Sequence, residues 1–525
     1  MTARRMEQDR RNEDFRGMLA RMEREGHLRR VTKTISPRHI TALCGQAPSA
    51  VLCEAVDGYD IPVAGGLYWT RERLASALGW PVGELGSRFA SAVGRPISPI
   101  FVNDAPCQEV VSTGDDVDLT TLPIPFMHEK DGAPYISGGV AFAEDPELGA
   151  NAGCYRLMFR TRREMGIDLF TASDLRRYYT KTYERKQPLP VAIAIGVHAF
   201  EHMAAAYKAP AGLNEMEIAG GLRGEPAHLV RAKTVDVMVP ANAEIVLEGE
   251  LLPNGWTADE GPFGEFAGMQ GDLKHNPLFR VGAITHRRNP IFYALQMPWE
   301  NDWLNGPATE AACRRVLGLA GIQVAGVRAT EGGCCGWSVV AAIKKRAGEG
   351  RNALAALLSL PVVKQAIVTD DDIDIYNSDQ VEWAVTFRCQ ADKDIIHPVG
   401  HEGKARRPQR AALGPQAGRA ADDREIRHRR DHSRRHSGIS LRTDCSRVPE
   451  RSAPGGLPVT TGRQADPALV KRIEVCLREP IYFRDILDAT RDQKYRAVLL
   501  AWSDIRTRQA LERDEHGRYW RAERA

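Results

Sequence analysis

The 525-residue sequence predicts a protein of the mixed α+β and α/β classes, with an N-terminal α/β region, a central strand-rich domain and a C-terminal α/β domain. Three observations predict this order. The length exceeds that of one ordinary domain. Short β-rich runs are concentrated between residues 123 and 286. Segments with helical spacing of apolar residues lie on both sides of those runs.

The N-terminal region, residues 1–122, begins with a predicted helix in residues 15–30, where apolar and charged residues are mixed at helical spacing. The central domain, residues 123–305, follows. Its predicted strands are separated by Gly, Pro and Asn, which suits a β-barrel or a large, mostly antiparallel sheet. These strands are YISGGVAFA, YRLMFR, LPVAIAIGV, TVDVMV, EIVLEGEL and NPIFYALQ.

The C-terminal α/β domain, residues 306–397, is predicted from a helix near residues 309–320 that is followed by strand, helix and strand. The last predicted strand, QAIVTDDDIDIY, ends in a row of acidic residues.

The segment of residues 398–466 differs from the rest because it contains no Phe, Trp or Tyr and is rich in Arg, His, Ser, Pro and Gly. Such a composition buries too little apolar surface to offset chain entropy, so we predict disorder. Either this is a genuine insertion, or the span is encoded in a shifted reading frame. Residues 467–525 again contain apolar residues and predict a small helical tail, with 495–520 as a helix packed by its apolar face.

The overall composition indicates a soluble cytoplasmic protein. The net charge is +3, and no run of about 18 apolar residues predicts a membrane span. The first 15 residues are charged and have no apolar core, so no secretory signal is predicted. The ten cysteines include no CxxC pair, which favours reduced thiols over a disulfide framework.

The strongest local motif is DEGPFGEF at residues 259–266, in which carboxylates flank a Gly-Pro-Phe-Gly turn. Such a turn can direct Glu260 and Glu265 into one cavity, where mutual repulsion favours the protonated form of one of them. That arrangement suits proton delivery near neutral pH. The alternative is an ordinary solvated turn at the surface.

Two further motifs contain residues suited to binding. In NAGCYR, residues 151–156, Asn151 could bind a metal or a phosphate, and Arg156 could bind a carboxylate through two hydrogen bonds. In GLNEME, residues 212–217, Glu215 could bind a metal, although carboxylates are also common at helix starts. A single arginine on a strand is more often a surface residue.

The motifs NAGCYR, GLNEME and DEGPFGEF, in this order along the chain, closely resemble those of the UbiD family of decarboxylases. The resemblance extends over residues 15–389. DGAPYIS at residues 131–137 and VPANAEIVLEG at residues 239–249 match the family further, as do DDDIDI and VEWA after residue 369. The resemblance implies an N-terminal α/β region, a split β-barrel that holds flavin and a C-terminal α/β domain used in oligomerisation.

The resemblance also implies roles for individual residues. Arg156, Glu260 and Glu265 resemble the catalytic Glu-Arg-Glu group of the family. Asn151 and Glu215 resemble two ligands of the divalent metal that holds the flavin phosphate. The implied cofactors are prenylated flavin mononucleotide (FMN), a divalent metal such as Mn²⁺, and K⁺.

Further site residues follow from the same resemblance. Ser137 lies in the motif at the entry to the cofactor domain, and Arg156 is also implied in cofactor binding. The third metal ligand in the family is often a histidine, but the aligned segment, residues 166–177, contains none. Asp174 lies at about the same place and is a suitable ligand for a hard metal. The lysine motif of the family, expected after the acidic strand, is replaced here by residues 398–466.

The predicted reaction is the non-oxidative decarboxylation, or its reverse, of an aromatic or α,β-unsaturated acid. The GIDLFTASDLR segment favours a hydroxybenzoate-like acid. The implied partners are a flavin prenyltransferase that supplies the cofactor and further copies of the chain, as a homodimer or a higher homo-oligomer.

The alternatives are an inactive homologue, or a flavin- or nucleic-acid-binding protein that uses the basic segment. Nucleic acid is disfavoured because that segment has no aromatic residues for base stacking.

Overall fold

The computed structural model describes residues 13–169, 172–209, 213–344, 346, 348–397 and 464–521. The predicted disordered segment, residues 398–466, lies outside this range except for its last three residues. Within the described residues, no helix has the length and apolar character needed to span a bilayer.

The helices, in chain order, are α1 (Phe15–Arg24), α2 (Ile40–Gln46), α3 (Arg71–Leu78), α4 (Leu85–Val93), α5 (Asp174–Glu184), α6 (Ala199–Ala206), α7 (Glu215–Arg223), α8 (Glu300–Leu319), α9 (Glu349–Leu358), α10 (Ser378–Arg388), α11 (Ala391–Asp394), α12 (Pro467–Cys476), α13 (Phe483–Ala489) and α14 (Tyr495–Arg508).

The first half of the strands are β1 (Leu28–Val31), β2 (Ala50–Cys53), β3 (Val63–Gly65), β4 (Ile100–Val102), β5 (Val110–Thr113), β6 (Tyr135–Ile136), β7 (Gly139–Asp145), β8 (Gly149–Cys154), β9 (Leu157–Thr161), β10 (Glu164–Ile167), β11 (Leu189–Ile195) and β12 (His228–Arg231). The others are β13 (Met238–Pro240), β14 (Ile245–Leu251), β15 (Ala258–Glu260), β16 (Lys274–Asn276), β17 (Leu278–His286), β18 (Phe292–Ala294), β19 (Val324–Ala329), β20 (Ser338–Ile343), β21 (Gln365–Asp370), β22 (Leu511–Arg513) and β23 (Tyr519–Arg521).

The N-terminal region is built on a four-stranded sheet in the order β1-β2-β3-β18. The fourth strand, β18, lies near the end of the predicted central domain and pairs in parallel with β3. Helix α1 ends six residues before the predicted end at Arg30, because the chain turns at Gly26, which has a φ of 81°, and enters β1. The N-terminal and central regions are therefore joined through a shared sheet.

The central domain is a nine-stranded antiparallel half-barrel in the order β6-β9-β10-β17-β14-β11-β7-β8, with β5 added on β17. Apolar side chains on these strands are buried, as in β11, where six of seven residues are buried. The predicted fold class is confirmed. The strand β5 precedes residue 123, so the half-barrel begins before the predicted boundary.

The C-terminal region is a three-stranded sheet, β19-β20-β21, packed on helices α8 and α9. Helix α8 begins at Glu300, nine residues before the predicted start. Pro307 lies inside it, and the buried Trp303 and Leu304 provide packing that offsets the missing backbone hydrogen bond. Strand β21 ends at Asp370 rather than at Tyr376, because the chain then turns towards α10, whose first amides bond to Asn377.

The last described residues, 467–521, form three helices and a β-hairpin, which we call the C-terminal unit. Helix α14 ends at Arg508, so the long helix predicted for residues 495–520 is wrong in its second half. Gln509 has an extended backbone, and the turn before β23 contains Gly517 with a φ of 80°. Buried side chains of this unit, including Trp502 and Tyr519, belong to the main hydrophobic core.

Candidate active site

The turn at residues 259–265, which we call the glutamate turn, is fixed by hydrogen bonds to its backbone. The Gly261 amide donates to the Tyr135 hydroxyl (3.0 Å), and the Gly264 amide donates to Asp131 Oδ1 (2.8 Å). Gly261 has a φ of 89°, and a Cβ there would lie 2.6 Å from the Asp272 carbonyl oxygen. Only glycine suits this position, so the turn holds its two glutamates in a defined direction.

Arg156 joins both glutamates of the turn. Its Nε and Nη2 donate to the two carboxylate oxygens of Glu260, each at 2.8 Å, and its Nη1 donates to Glu265 Oε1 at 2.9 Å. All three side chains are buried. The alternative of a solvated surface turn is therefore wrong, because the sheet brings β9 and the turn together.

Glu260 has two further hydrogen-bond donors. The Tyr135 hydroxyl donates to its Oε1 at 3.0 Å, and Asn276 Nδ2 donates to its Oε2 at 3.3 Å. Two donated bonds from Arg156 complete the set. Four donated hydrogen bonds therefore fix the position of this buried side chain.

Two charged residues that the sequence did not single out complete this cluster. Asp168 Oδ2 lies 3.1 Å from Arg156 Nη2 and 3.0 Å from Lys274 Nζ, and Lys274 Nζ lies 3.5 Å from Glu265 Oε1. We call Arg156, Asp168, Glu260, Glu265 and Lys274 the buried cluster. The only signal for Asp168 was its place in the GIDL segment, and nothing local pointed to Lys274.

The buried cluster has three carboxylates and two cations, so with all groups ionised it has one negative charge in excess. Burial opposes the charged form of Arg156, but Asp168, Glu260 and Glu265 together hold its pKa well above the ordinary value. Arg156 is therefore a permanent cation. The excess charge means that an additional anion would be admitted more readily if one of the carboxylates took up a proton.

Asn151 and Glu215 meet at strand β8, and the exposed Asp174 lies near enough to Glu215 for its charge to act on it. Glu215 Oε2 accepts a hydrogen bond of 3.0 Å from the Ala152 amide. Burial raises the pKa of Glu215 to about 7; the charge of Asp174 also raises it, and a hydrogen bond from Asn151 lowers it. Asn151 Oδ1 is buried and has no hydrogen-bond partner among the described residues.

This second cluster suits a cation. An amide oxygen and two carboxylates are hard oxygen ligands of the kind that Mg²⁺ and Mn²⁺ bind. The described residues contain no group of three His, Cys, Asp or Glu arranged as a metal site.

Ser137 is buried at the edge of the half-barrel, and its hydroxyl donates to the Leu295 carbonyl at 2.6 Å. His198 caps helix α6 and lies 3.3 Å from Glu13, while His202 is buried against Tyr68 and Tyr293. Burial lowers the pKa of His202 to about 3. The two histidines are therefore part of the packing around α6 rather than partners of Asn151 and Glu215.

Three family models match the chain in order. They describe the N-terminal domain of 3-octaprenyl-4-hydroxybenzoate carboxy-lyase at residues 19–93, its Rift-related domain at residues 100–298 and its C-terminal domain at residues 302–414.

A curated relative is the anhydromevalonate phosphate decarboxylase of Methanothermobacter thermautotrophicus. It is 33% identical over 355 residues, which are 66% of this chain and 82% of the relative.

The chain is similar to several solved structures. The UbiD-class enzyme HmfF from Pelotomaculum thermopropionicum, in complex with FMN, has a TM-score of 0.70 and 37% identity, and the match covers 73% of this chain and 87% of that one. An evolved dimeric form of HmfF was solved with prenylated FMN. Apo 3,4-dihydroxybenzoic acid decarboxylase (AroY) from Klebsiella pneumoniae has a TM-score of 0.67 and 28% identity, covering 73% and 86%.

The family models, the sequence identity to the relatives and the fold shared with the solved structures all agree with the resemblance seen in the motifs. The chain belongs to the UbiD family of carboxy-lyases.

Proposed function

We propose that this protein is a non-oxidative decarboxylase, able to act in either direction, on an aromatic or α,β-unsaturated carboxylic acid of the hydroxybenzoate type. It would use prenylated FMN and a divalent metal. The observation that supports this most is the buried contact of Arg156 with both Glu260 and Glu265. The permanent cation can bind an acid, and one of the two carboxyl groups beside it can deliver a proton at the same place.

Arg156 is the group that receives the substrate carboxylate. Glu260 is held by four donors and fixes the guanidinium plane of Arg156. Glu265 accepts from Arg156 through one nitrogen and is more exposed than Glu260. Entry of a second anion beside Arg156 favours proton uptake by a neighbouring carboxylate, and Glu265 is the one we assign to it.

The decarboxylation replaces the carboxylate of the substrate with one proton. The carbon–carboxylate bond of the substrate breaks, CO₂ leaves, and the electron pair remains on the substrate carbon. Glu265 transfers its proton to that carbon to form the new C–H bond, and solvent returns a proton to Glu265. When bound, prenylated FMN supplies the electron sink for this step.

Asn151, Asp174 and Glu215 are the residues we assign to the divalent metal, with Mn²⁺ as the metal we favour. The unpartnered Asn151 oxygen and the buried Glu215 carboxyl support this assignment. Ser137, Asn151, Arg156 and Glu215 would then line the flavin phosphate and ring. We also propose K⁺ as a second cation.

The proposal of an aromatic substrate is supported by AroY, whose substrate is an aromatic acid by its name. The Methanothermobacter relative acts on anhydromevalonate phosphate, which shows that relatives of similar identity differ in substrate. In this chain Asp168, from the GIDL segment, contacts Arg156 and would lie next to a bound acid.

We propose a homodimer or higher homo-oligomer in the cytoplasm, supplied by a flavin prenyltransferase. Trp383 and Phe387 on α10 are 47% and 73% exposed, which supports a contact with another copy of the chain. All nine cysteines in the described residues have free thiols, as expected in a reducing compartment.

The test is turnover of defined acids by the purified protein reconstituted with prenylated FMN, Mn²⁺ and K⁺. The panel is 3,4-dihydroxybenzoate, 4-hydroxybenzoate, vanillate and cinnamate, and the readout is CO₂ release. We expect at least one hydroxybenzoate to turn over faster than cinnamate. Flavin-loaded protein that releases CO₂ from none of these acids would favour the inactive homologue.

A further inference from the structure

The C-terminal unit lies directly against the glutamate turn. Asp259, the residue before Glu260, contacts two arginines of this unit: Arg506 Nη2 lies 2.8 Å from Oδ1, and Arg513 Nη1 lies 3.1 Å from Oδ2. A third arginine, Arg160 on β9, donates to both the side chain (2.7 Å) and the backbone carbonyl (2.6 Å) of Asp259.

These contacts are buried and specific. The side chains of Arg506 and Arg513 are 6% and 3% exposed, and Asp259 is 18% exposed. Although burial opposes ionisation, the surrounding guanidinium groups hold the pKa of Asp259 far below its usual range. Removing one partner of a buried ion pair leaves the other charged groups uncompensated, so these contacts constrain the turn.

The hairpin of the C-terminal unit reaches the next residues of the turn. Arg513 Nη2 donates to the Gly517 carbonyl at 2.8 Å, and its guanidinium lies over the Tyr519 ring at 4.1 Å. Gly517 packs on the ring of Pro262, where a Cβ would clash with the proline Cδ. The hairpin therefore contacts the turn on both sides of Gly261.

The direction of the strand connects these contacts to the buried cluster. Asp259 and Glu260 are consecutive residues of β15, so their side chains point to opposite faces. Glu260 meets Arg156 on one face, and Asp259 meets the C-terminal unit on the other. A movement of Asp259 must therefore move Glu260.

We propose that the C-terminal unit, through Arg506, Arg513 and Gly517, positions the glutamate turn for catalysis. This inference rests on the proposed function of that turn. The family models end at residue 414, so this unit lies beyond the part of the chain that they describe. Arg506, Arg513 and Gly517 are positioning residues, since none of them contacts the groups that exchange protons.

The first test is Gly517→Ala, which places a methyl group against Pro262. The matched control is Gly26→Ala, because Gly26 has almost the same φ, 81° against 80°, but open space around the new methyl group. We expect Gly517→Ala to lower kcat by about 10- to 100-fold, as misplacement of a catalytic group by about 1 Å does. KM, bound flavin and the melting temperature relative to Gly26→Ala should change little.

The second test removes a charge. Arg513→Gln is compared with Arg508→Gln, an exposed arginine of α14 that pairs with Asp504, and with Arg513→Lys, which keeps the charge. We expect Arg513→Gln to lower kcat about 10-fold or more, Arg513→Lys to recover part of it and Arg508→Gln to match the parent. If Gly517→Ala does not fold, the Arg513 and Arg508 variants test the positioning role by themselves.

Hydrogen exchange separates this proposal from the proposed function. The Gly261 and Gly264 amides should exchange at least about 10-fold faster in Gly517→Ala and Arg513→Gln than in their controls. If the amides exchange faster in these variants but the parent enzyme shows no decarboxylation, the positioning role is supported and the proposed function is rejected. Exchange and kcat equal to those of the controls would overturn the positioning role.

Discussion

At the scale of residues, the proposed chemistry depends on a few buried polar groups that a bound ligand would provide with a partner. Asn151 presents a buried amide oxygen, and Glu215 beside it has a pKa raised to about 7 by burial. A divalent cation would compensate both, because it coordinates the oxygen and favours the ionised carboxylate. Arg156, by contrast, is already paired with the carboxylates of Asp168, Glu260 and Glu265.

Asn151→Ala should therefore weaken metal binding, by about 10- to 100-fold in affinity, since one of three assigned ligands is lost. The measurement is bound Mn²⁺ per chain after dialysis at fixed free Mn²⁺, determined by elemental analysis. The matched control is Asn254→Ala, an exposed asparagine in the loop after β14. Equal Mn²⁺ content in Asn151→Ala and the parent would contradict the assignment of Asn151.

At the scale of elements, helix α6 places His202 in the core next to Tyr68 and Tyr293, and neither ring nitrogen has a hydrogen-bond partner among the described residues. Burial lowers the pKa of His202 to about 3, below the value near 6.5 of an unfolded chain. The unfolded state therefore takes up a proton first as the pH falls. Stability from this residue is full above pH 6.5 and declines below it.

The variant His202→Leu should remove this dependence on pH. Between pH 7 and pH 5 the parent should lose about 2 kcal/mol more unfolding free energy than His202→Leu, at roughly 1.4 kcal/mol per pH unit below 6.5. Urea unfolding at several pH values measures the difference. His516→Leu, at an exposed histidine, should retain the parent's slope, and an equal slope in His202→Leu would refute the argument.

The pairing of elements also explains which site residues could be predicted from sequence and which could not. The motifs at residues 151–156 and 260–265 are short, and turn chemistry together with the family resemblance indicated Arg156, Glu260 and Glu265. Asp168 and Lys274 could not be found in that way, because they meet only through the pairing of β10 with β17 and of β15 with β16. Strand register is a long-range property that no local pattern specifies.

The C-terminal unit illustrates the same limit. Its apolar residues predicted a small helical tail, and most of them are buried, but the helical spacing was extended through a turn that belongs to a hairpin. Its contact with Asp259 joins residues 247 and 254 positions apart in the chain. Such a contact follows from the packed fold and has no counterpart in local sequence.

At the scale of the whole molecule, the N-terminal region, the central domain and the C-terminal unit share one hydrophobic core. Strand β18 returns to the N-terminal sheet, and the C-terminal unit is packed on the half-barrel. The Tyr495 hydroxyl donates to the Ile124 carbonyl at 2.9 Å, and the Arg162 amide donates to Ser503 Oγ at 2.9 Å. Phe483 also lies against Phe126.

A chain that is cut between residues 398 and 463 should therefore remain one particle. We expect the two fragments, produced at an introduced protease site, to elute together in gel filtration and to separate only in denaturant, because the buried aromatic residues of the C-terminal unit contact the half-barrel. Separation of the fragments in native buffer would contradict this packing.

The central claim is that Glu265, held by Arg156, delivers the proton that replaces the lost carboxylate. The most direct measurement is deuterium incorporation during turnover in D₂O by the flavin-loaded parent, Glu265→Gln and the exposed control Glu250→Gln. The account predicts one deuterium at the carbon that lost CO₂, a rate about 10²- to 10⁴-fold lower in Glu265→Gln, and an unchanged flavin spectrum. A Glu265→Gln variant that turns over at the parent's rate, or that loses its flavin, would contradict it.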